Sequence, residues 1–176
     1  WGLLGRAQGP AQAGAAPVRT PFFQGEAQSM RFVSAFSLGE GWRGRPQLLE
    51  FQVIPGEGGE GVRLIVNEHL YTGPAAAGAT FLGFIPDPQR GAMIPLMRPV
   101  AAGPESFVLA DRLASCRFSF REDNPVAGTQ SWTGRWAAIR WPAAVRVAMT
   151  PLDPEGTRLA PLTLTAPIRV TAPPGI

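Results

Sequence analysis

Apolar and polar residues alternate with a period of two through most of this chain. Between Phe107 and Met149 the run Cys116-Arg117-Phe118-Ser119-Phe120-Arg121-Glu122 places Cys116, Phe118 and Phe120 on one face and Arg117, Ser119 and Arg121 on the other. After a connection holding Trp132 and Trp136, the pattern resumes at Trp141, with Val145, Val147 and Met149 on one side and Arg146 opposite. That alternation describes half-buried strands of a sheet with one solvated side. Pro142 has no N–H to donate, so it belongs at the first position of its strand or on an edge.

The same spacing predicts strands over 31–38, around Leu49, Phe51 and Val53, and over 62–66, 107–110, 113–121, 143–150 and 160–171. Glu26 to Met30 reads as one helical turn leading into the first of these, in which Met30, Phe32, Phe36 and Leu38 share a face. In the last, Leu162, Leu164 and Ile168 point one way and Thr163, Thr165 and Arg169 the other. Gly56 to Gly61 joins two alternating runs and reads as a β-hairpin turn. Seven or so strands with turns at short spacing predict a mainly β fold of antiparallel sheets, packed as a two-sheet sandwich.

The domain reading follows from this map. Residues 1–21, rich in Gly, Ala, Pro and Gln, form a flexible lead after a removed helix, and residues 172–176 a tail. Residues 22–171 form one β-rich globular domain, a size able to bury a core without staples. Within it, residues 72–104 are an irregular insertion that packs its own apolar side chains, among them Phe81, Phe84, Met93 and Met97.

Charge adds little to this picture. All 16 basic residues are arginine, the net charge is +3, and the pI of 10.4 reflects the guanidinium's resistance to deprotonation. The arginines are scattered among 13 acids, which argues against a nucleic-acid partner. Cys116 is the only cysteine, so an intrachain disulfide is impossible, and its position on an apolar strand face suits a small buried hydrophobe.

Candidate chemistry is sparse. Gly56-x-Gly58-x-x-Gly61 matches a dinucleotide fingerprint, but a strand pattern follows where a helix is required, and Glu57 and Glu60 would repel phosphate. His69, the only histidine, has no nucleophile elbow or metal-ligand spacing near it and reads as a solvated strand-end residue. The acid pairs Glu57/Glu60, Glu122/Asp123 and Asp153/Glu155 fall in Gly- or Pro-flanked turns, a poor scaffold for glycosidase chemistry. Calcium at one of these loops is the one cofactor left open, without the Asp-x-Asp-x-Asp pattern that would support it. Trp132, Trp136 and Trp141 suit packing at one end of the sheets, and Trp42, in a turn, suits exposure. The rival reading is a carbohydrate- or ligand-binding β-sandwich that displays Trp42 or Trp132 and Trp136 as a stacking platform.

Two segments together carry a family resemblance. The order of a strand ending in Phe118-x-Phe120, then Trp132 and Trp136, then Pro142-x-x-Val145 resembles the C-terminal half of the J-type minor pseudopilins of type II secretion. Phe23-x-Gly25, followed by an acid and then Phe32-Val33, is similar to the opening of that family's globular domain. The resemblance spans about residues 22 to 171 and implies a non-enzymatic structural subunit, with no catalytic residues, metal or cofactor. It further implies an α+β pilin-like whole in which a long apolar helix, absent from this chain, packs against the sheets. The full-length protein would be anchored in the bacterial inner membrane with this domain in the periplasm. It would join I-type and K-type pseudopilins in the pseudopilus tip complex that initiates assembly for protein export. The opening Trp1-Gly2-Leu3-Leu4-Gly5-Arg6 has no initiator methionine and reads as a start trimmed after such a helix.

Overall fold

A computed structural model describes residues 22–73, 80–87, 92–124, 126–136, 140–157 and 159–169. The expected lead at 1–21 and tail at 172–176 lie outside the described residues, as do 74–79 and 88–91 of the expected insertion.

The described chain is mainly β, as the alternation predicts. Its strands are β1 (Phe23–Glu26), β2 (Ser29–Phe36), β3 (Arg43–Pro55), β4 (Val62–Leu70), β5 (Phe81–Asp87), β6 (Ala92–Met97), β7 (Phe107–Asn124), β8 (Thr129–Thr133), β9 (Ala144–Pro151) and β10 (Leu162–Pro167). A single helical turn, Pro154–Thr157, joins the last two. All pairings are antiparallel. Eight strands form one sheet in the order β1-β2-β3-β4-β7-β9-β10, with β8 beside β7, while β5 and β6 form a separate hairpin.

Two antiparallel sheets are present, as expected, but of very unequal size, and the smaller one, the β5–β6 hairpin, packs on the larger through Met97 and Phe81. One large sheet curls on itself, and the long strand β7 is the reason. Its residues up to Leu113 pair with β4, its residues from Leu113 to Arg121 pair with β9, and its end from Phe120 pairs with β8. Leu113 is shared by β4 and β9, and Phe120 by β8 and β9, so β4 and β8 occupy the same edge of β7 with a gap between them. The β1–β2 hairpin enters that gap: the Phe118 N–H donates to the Ala27 carbonyl at 2.8 Å, and the Trp136 N–H to the Gly25 carbonyl at 2.7 Å.

The local differences have local causes. Glu26–Met30 is not a helical turn; β1 and β2 meet through the two-residue turn Ala27-Gln28, because Glu26 pairs directly with Ser29. The two strands expected at 107–110 and 113–121 are one strand with an irregularity, where Arg112 takes a positive φ of 52° and its N–H is held by the Asp111 carboxylate at 2.8 Å. Leu38 lies beyond β2 in a turn, and β2 is irregular between Ser34 and Phe36, so Phe36 and Leu38 do not continue the face of Met30 and Phe32. Glu122 and Asp123 lie in β7 rather than a turn and form ion pairs with Arg140 and Arg121. The Gly56–Gly61 segment does join β3 to β4 as a hairpin, with Pro55 opposite Val62.

Two apolar clusters stabilise the fold. On the concave face Val53, Leu64, Leu113, Cys116, Phe118, Phe120 and Trp136 pack together. Phe120 has no exposed area, and each such side chain contributes about 1.5–3 kcal/mol on burial. On the other face Phe22, Leu48 and Met97 form a second cluster, through which the β5–β6 hairpin is attached. The segment after β6 is tied down by polar contacts: the Asn67 amide donates to the Ala101 carbonyl at 2.8 Å, and the Ser106 hydroxyl donates to the Asn67 side chain.

Candidate docking groove

The concave face is not filled by the cluster at its closed end. Strand β2 on one side and β9 and β10 on the other border an open groove of about 610 Å³. Its walls are Met30, Phe32 and Val33 from β2, Val145 and Val147 from β9, and Leu164 and Ala166 from β10, with Ile168 just beyond. Phe23, Phe118 and Trp141 complete the lining, and Arg169 is the charged residue of the rim. The period of two explains most of this lining, since Met30 and Phe32, Val145 and Val147, and Leu164 and Ala166 are alternate residues of their strands. Val33 is the exception, being next to Phe32 and packed against the Phe22, Leu48 and Met97 cluster.

An aromatic row runs along this face. Phe23 and Phe32 stack at 6.0 Å between ring centroids, and Phe32 stacks on Phe51 at 5.8 Å. Phe23 also meets Phe120 edge-on at 5.7 Å and Trp141 at 5.5 Å. Such pairs add about 0.5–1.5 kcal/mol each beyond the area they bury. Close approach here depends on Gly25, where an added Cβ would stand 2.3 Å from the Phe120 ring.

The residues of the family-like pattern gather at this face with one exception. Phe23, Phe32, Phe118 and Val145 line the groove. Gly25, Phe120 and Trp136 form its closed end, where the Trp136 indole N–H donates to the Arg140 carbonyl at 2.7 Å. Pro142 is buried just ahead of β9. Trp132 is the exception: its β7 partner is Arg121, and Arg146 lies over its ring at 3.7 Å, on the solvated side of the sheet. Trp141, Leu164 and Ile168 also belong to the groove. Their alternation was readable, but nothing in the pattern said that β10 would stand across from β2.

A second polar site was not anticipated. Arg31 and Glu50 face each other across β2 and β3 and form a buried ion pair. Arg31 also donates to Gln24 Oε1 at 3.0 Å and to the Arg98 carbonyl at 2.8 Å, so it clasps the segment after β6. His69 Nε2 lies 3.3 Å from the other Glu50 oxygen, with its ring exposed. The only sequence signal was an arginine and a glutamate on neighbouring strands, and their register becomes known only from the pairing.

Elsewhere the charges serve turns and surfaces. Burial opposes ionisation of Glu68, but hydrogen bonds from the Ser37 hydroxyl and the Gly39 and Leu38 amides outweigh it and hold the carboxyl below its ordinary pKa. Arg121 Nε lies 2.9 Å from Asp123 Oδ1, too poorly aligned for a hydrogen bond, while Nη2 donates to Oδ2 at 3.2 Å. Burial pushes the Cys116 thiol up, in keeping with its place in the core. Trp42 is 55% exposed in its turn, and Trp136 is turned inward. Among the described residues no group of three or more His, Cys, Asp or Glu converges as a metal site, and no helix is long and apolar enough to cross a membrane.

Comparison with models of known protein families, with curated proteins and with solved structures finds no match to this chain.

Proposed function

We propose that this chain is the globular domain of a J-type minor pseudopilin, a structural subunit of the type II secretion pseudopilus tip that works by docking and not by turnover. The observation that carries the reading is the groove. It is an open apolar trough bordered by β2 on one side and β9 and β10 on the other, and it is lined by Phe23, Phe32, Phe118 and Val145 of the family-like pattern. A long apolar helix of the full-length protein is its natural occupant, because a helix buries one apolar stripe against such a face. The membrane anchor, the periplasmic placement of this domain and the I-type and K-type partners belong to the same proposal.

A sugar platform has less to build on. Trp136 lies in the core and Arg146 covers the Trp132 ring, which leaves Trp42 as the freely exposed member of the expected set.

The test is co-expression of the full-length gene product with I-type and K-type pseudopilins, followed by co-purification from membranes. The complex should form, and Val147→Glu, which puts a carboxylate in the groove, should weaken it at least tenfold, about 1.4 kcal/mol. Absence of the complex overturns the proposal. So does a coding sequence without a prepilin-peptidase leader and an apolar segment of about 20 residues.

A further inference from the structure

Strand β10 ends the large sheet, and among the described residues no strand pairs with its outer side. Its pairing with β9 is uninterrupted from Leu162 opposite Met149 to Pro167 opposite Ala144, and Ile168 continues it by donating its N–H to the Ala143 carbonyl at 3.0 Å. Backbone groups of alternate residues in an antiparallel ladder face alternate neighbours. Leu162, Leu164, Ala166 and Ile168 therefore direct their N–H and C=O groups to β9, while Thr163 and Thr165 direct theirs outward. Pro161 and Pro167 stand at the flanking outward positions and have no N–H to offer. The free edge is thus a short template with two donors.

Natural sheets blunt such edges with shortness, charge, inward-pointing charged residues or proline, and here proline stands only at the two ends of the edge, at Pro161 and Pro167. This one carries the uncharged sequence Leu-Thr-Leu-Thr-Ala-Pro, with Leu162 and Leu164 about half exposed, at 47% and 51%. The sequence is also self-complementary about Leu164. Turned through a two-fold axis, Thr163 meets the partner's Thr165, Leu164 meets the partner's Leu164, and Leu162 meets the partner's Ala166. In that register the outward threonines form two hydrogen-bonded pairs, four backbone bonds in all, and Leu164 falls at the non-hydrogen-bonded position, where side chains approach most closely. The prolines face each other at both ends, so the ladder stops without leaving a donor unpaired.

We propose that β10 is a homodimerisation edge, pairing antiparallel with β10 of a second copy about a two-fold axis at Leu164. The paired sheets would run continuously through both copies, and the two grooves would meet along their β10 walls. This stands on the backbone of one edge and does not depend on the function proposed above.

Sedimentation of the 176-residue chain over a range of concentrations tests it. The expected result is a species of twice the 18.7 kDa chain mass that dissociates on dilution. Leu164→Asp and Leu164→Lys each set two like charges face to face on the axis and should be monomeric. Mixed in equal amounts, they should re-form a dimer containing one copy of each. Thr165→Pro, which removes an outward donor unused by β9, should weaken the dimer while the β-sheet circular dichroism is kept. A chain that stays monomeric at the highest concentration overturns the proposal. So does a dimer insensitive to all three substitutions, or a failure of the mixture to pair. Every one of these readouts uses the chain alone, so failure of the partner experiment above leaves them unaffected.

Discussion

Replacing Glu50 by glutamine tests whether the buried ion pair is a point of stability or a tolerated burden. The Arg31 side chain is 2% exposed and that of Glu50 9%, so neither charge has water to fall back on. Glu50→Gln keeps the shape and one acceptor but leaves the guanidinium with only neutral partners, the Gln24 side chain and the Arg98 carbonyl. Breaking a buried pair by removing one partner costs about 3–5 kcal/mol, and the retained acceptor places this case at the lower end, near 3 kcal/mol. For a domain of this size that corresponds to a fall in Tm of about 6–12 °C. Urea unfolding of the wild type, Glu50→Leu, Arg31→Met and the double variant Arg31→Met/Glu50→Leu gives the full cycle, with Glu50→Gln measured beside it. The double variant should lose less than the sum of the singles, with a coupling of about 1–3 kcal/mol, since it removes both charges together. His69→Ala is the control: its contact with Glu50 is exposed and should be worth less than about 1 kcal/mol. A Glu50→Gln variant within about 1 kcal/mol of wild type would refute the reasoning, as would strict additivity in the cycle.

Three other outcomes follow from the same geometry. Gly25→Ala should cost about 1–3 kcal/mol in denaturant unfolding, because the new methyl meets the immovable Phe120 ring, and Phe120→Leu should restore part of the loss when combined with it. Since the folded-state pKa of Glu68 lies below its unfolded value, its contribution is present above about pH 4.5 and is lost as pH falls through the folded value; Glu68→Gln should therefore flatten the acid limb of a stability–pH profile, and an unchanged limb would count against the Ser37 and amide contacts. Cys116, 2% exposed and with its thiol pKa raised by burial, should resist a thiol reagent in the native protein and react at the rate of unfolding, so rapid labelling without denaturant would contradict its place in the core.

The strands of this protein are legible in its sequence because a pleated backbone forces a period of two on any strand with one wet face. Cys116, Phe118 and Phe120 on one side, with Arg117 and Arg121 opposite, announce β7 before any partner is known. The same holds for Val145, Val147 and Met149, and for the glycine-rich turn between β3 and β4. Short elements escaped: β1 has four residues and β8 five, too few to display a period, and both owe their extended form to pairing with a neighbour. The join of β7 across Asp111 and Arg112 escaped as well, since an irregularity breaks the alternation that would have marked it as one strand.

What only the tertiary structure decided is which strands meet. Alternation specifies the face of a residue but is silent on the order of strands, which depends on long-range pairing between segments more than a hundred residues apart. Residues 31–38, 143–150 and 160–171 each read as apolar alternation; their meeting as opposite walls of one groove follows from the β1–β2 hairpin entering the gap beside β7. The Arg31–Glu50 pair is invisible for the same reason, because its existence depends on the register of two strands. So does the free edge at β10: the composition of Leu162–Pro167 was on view from the start, but its place at the end of the sheet was set by everything that pairs before it.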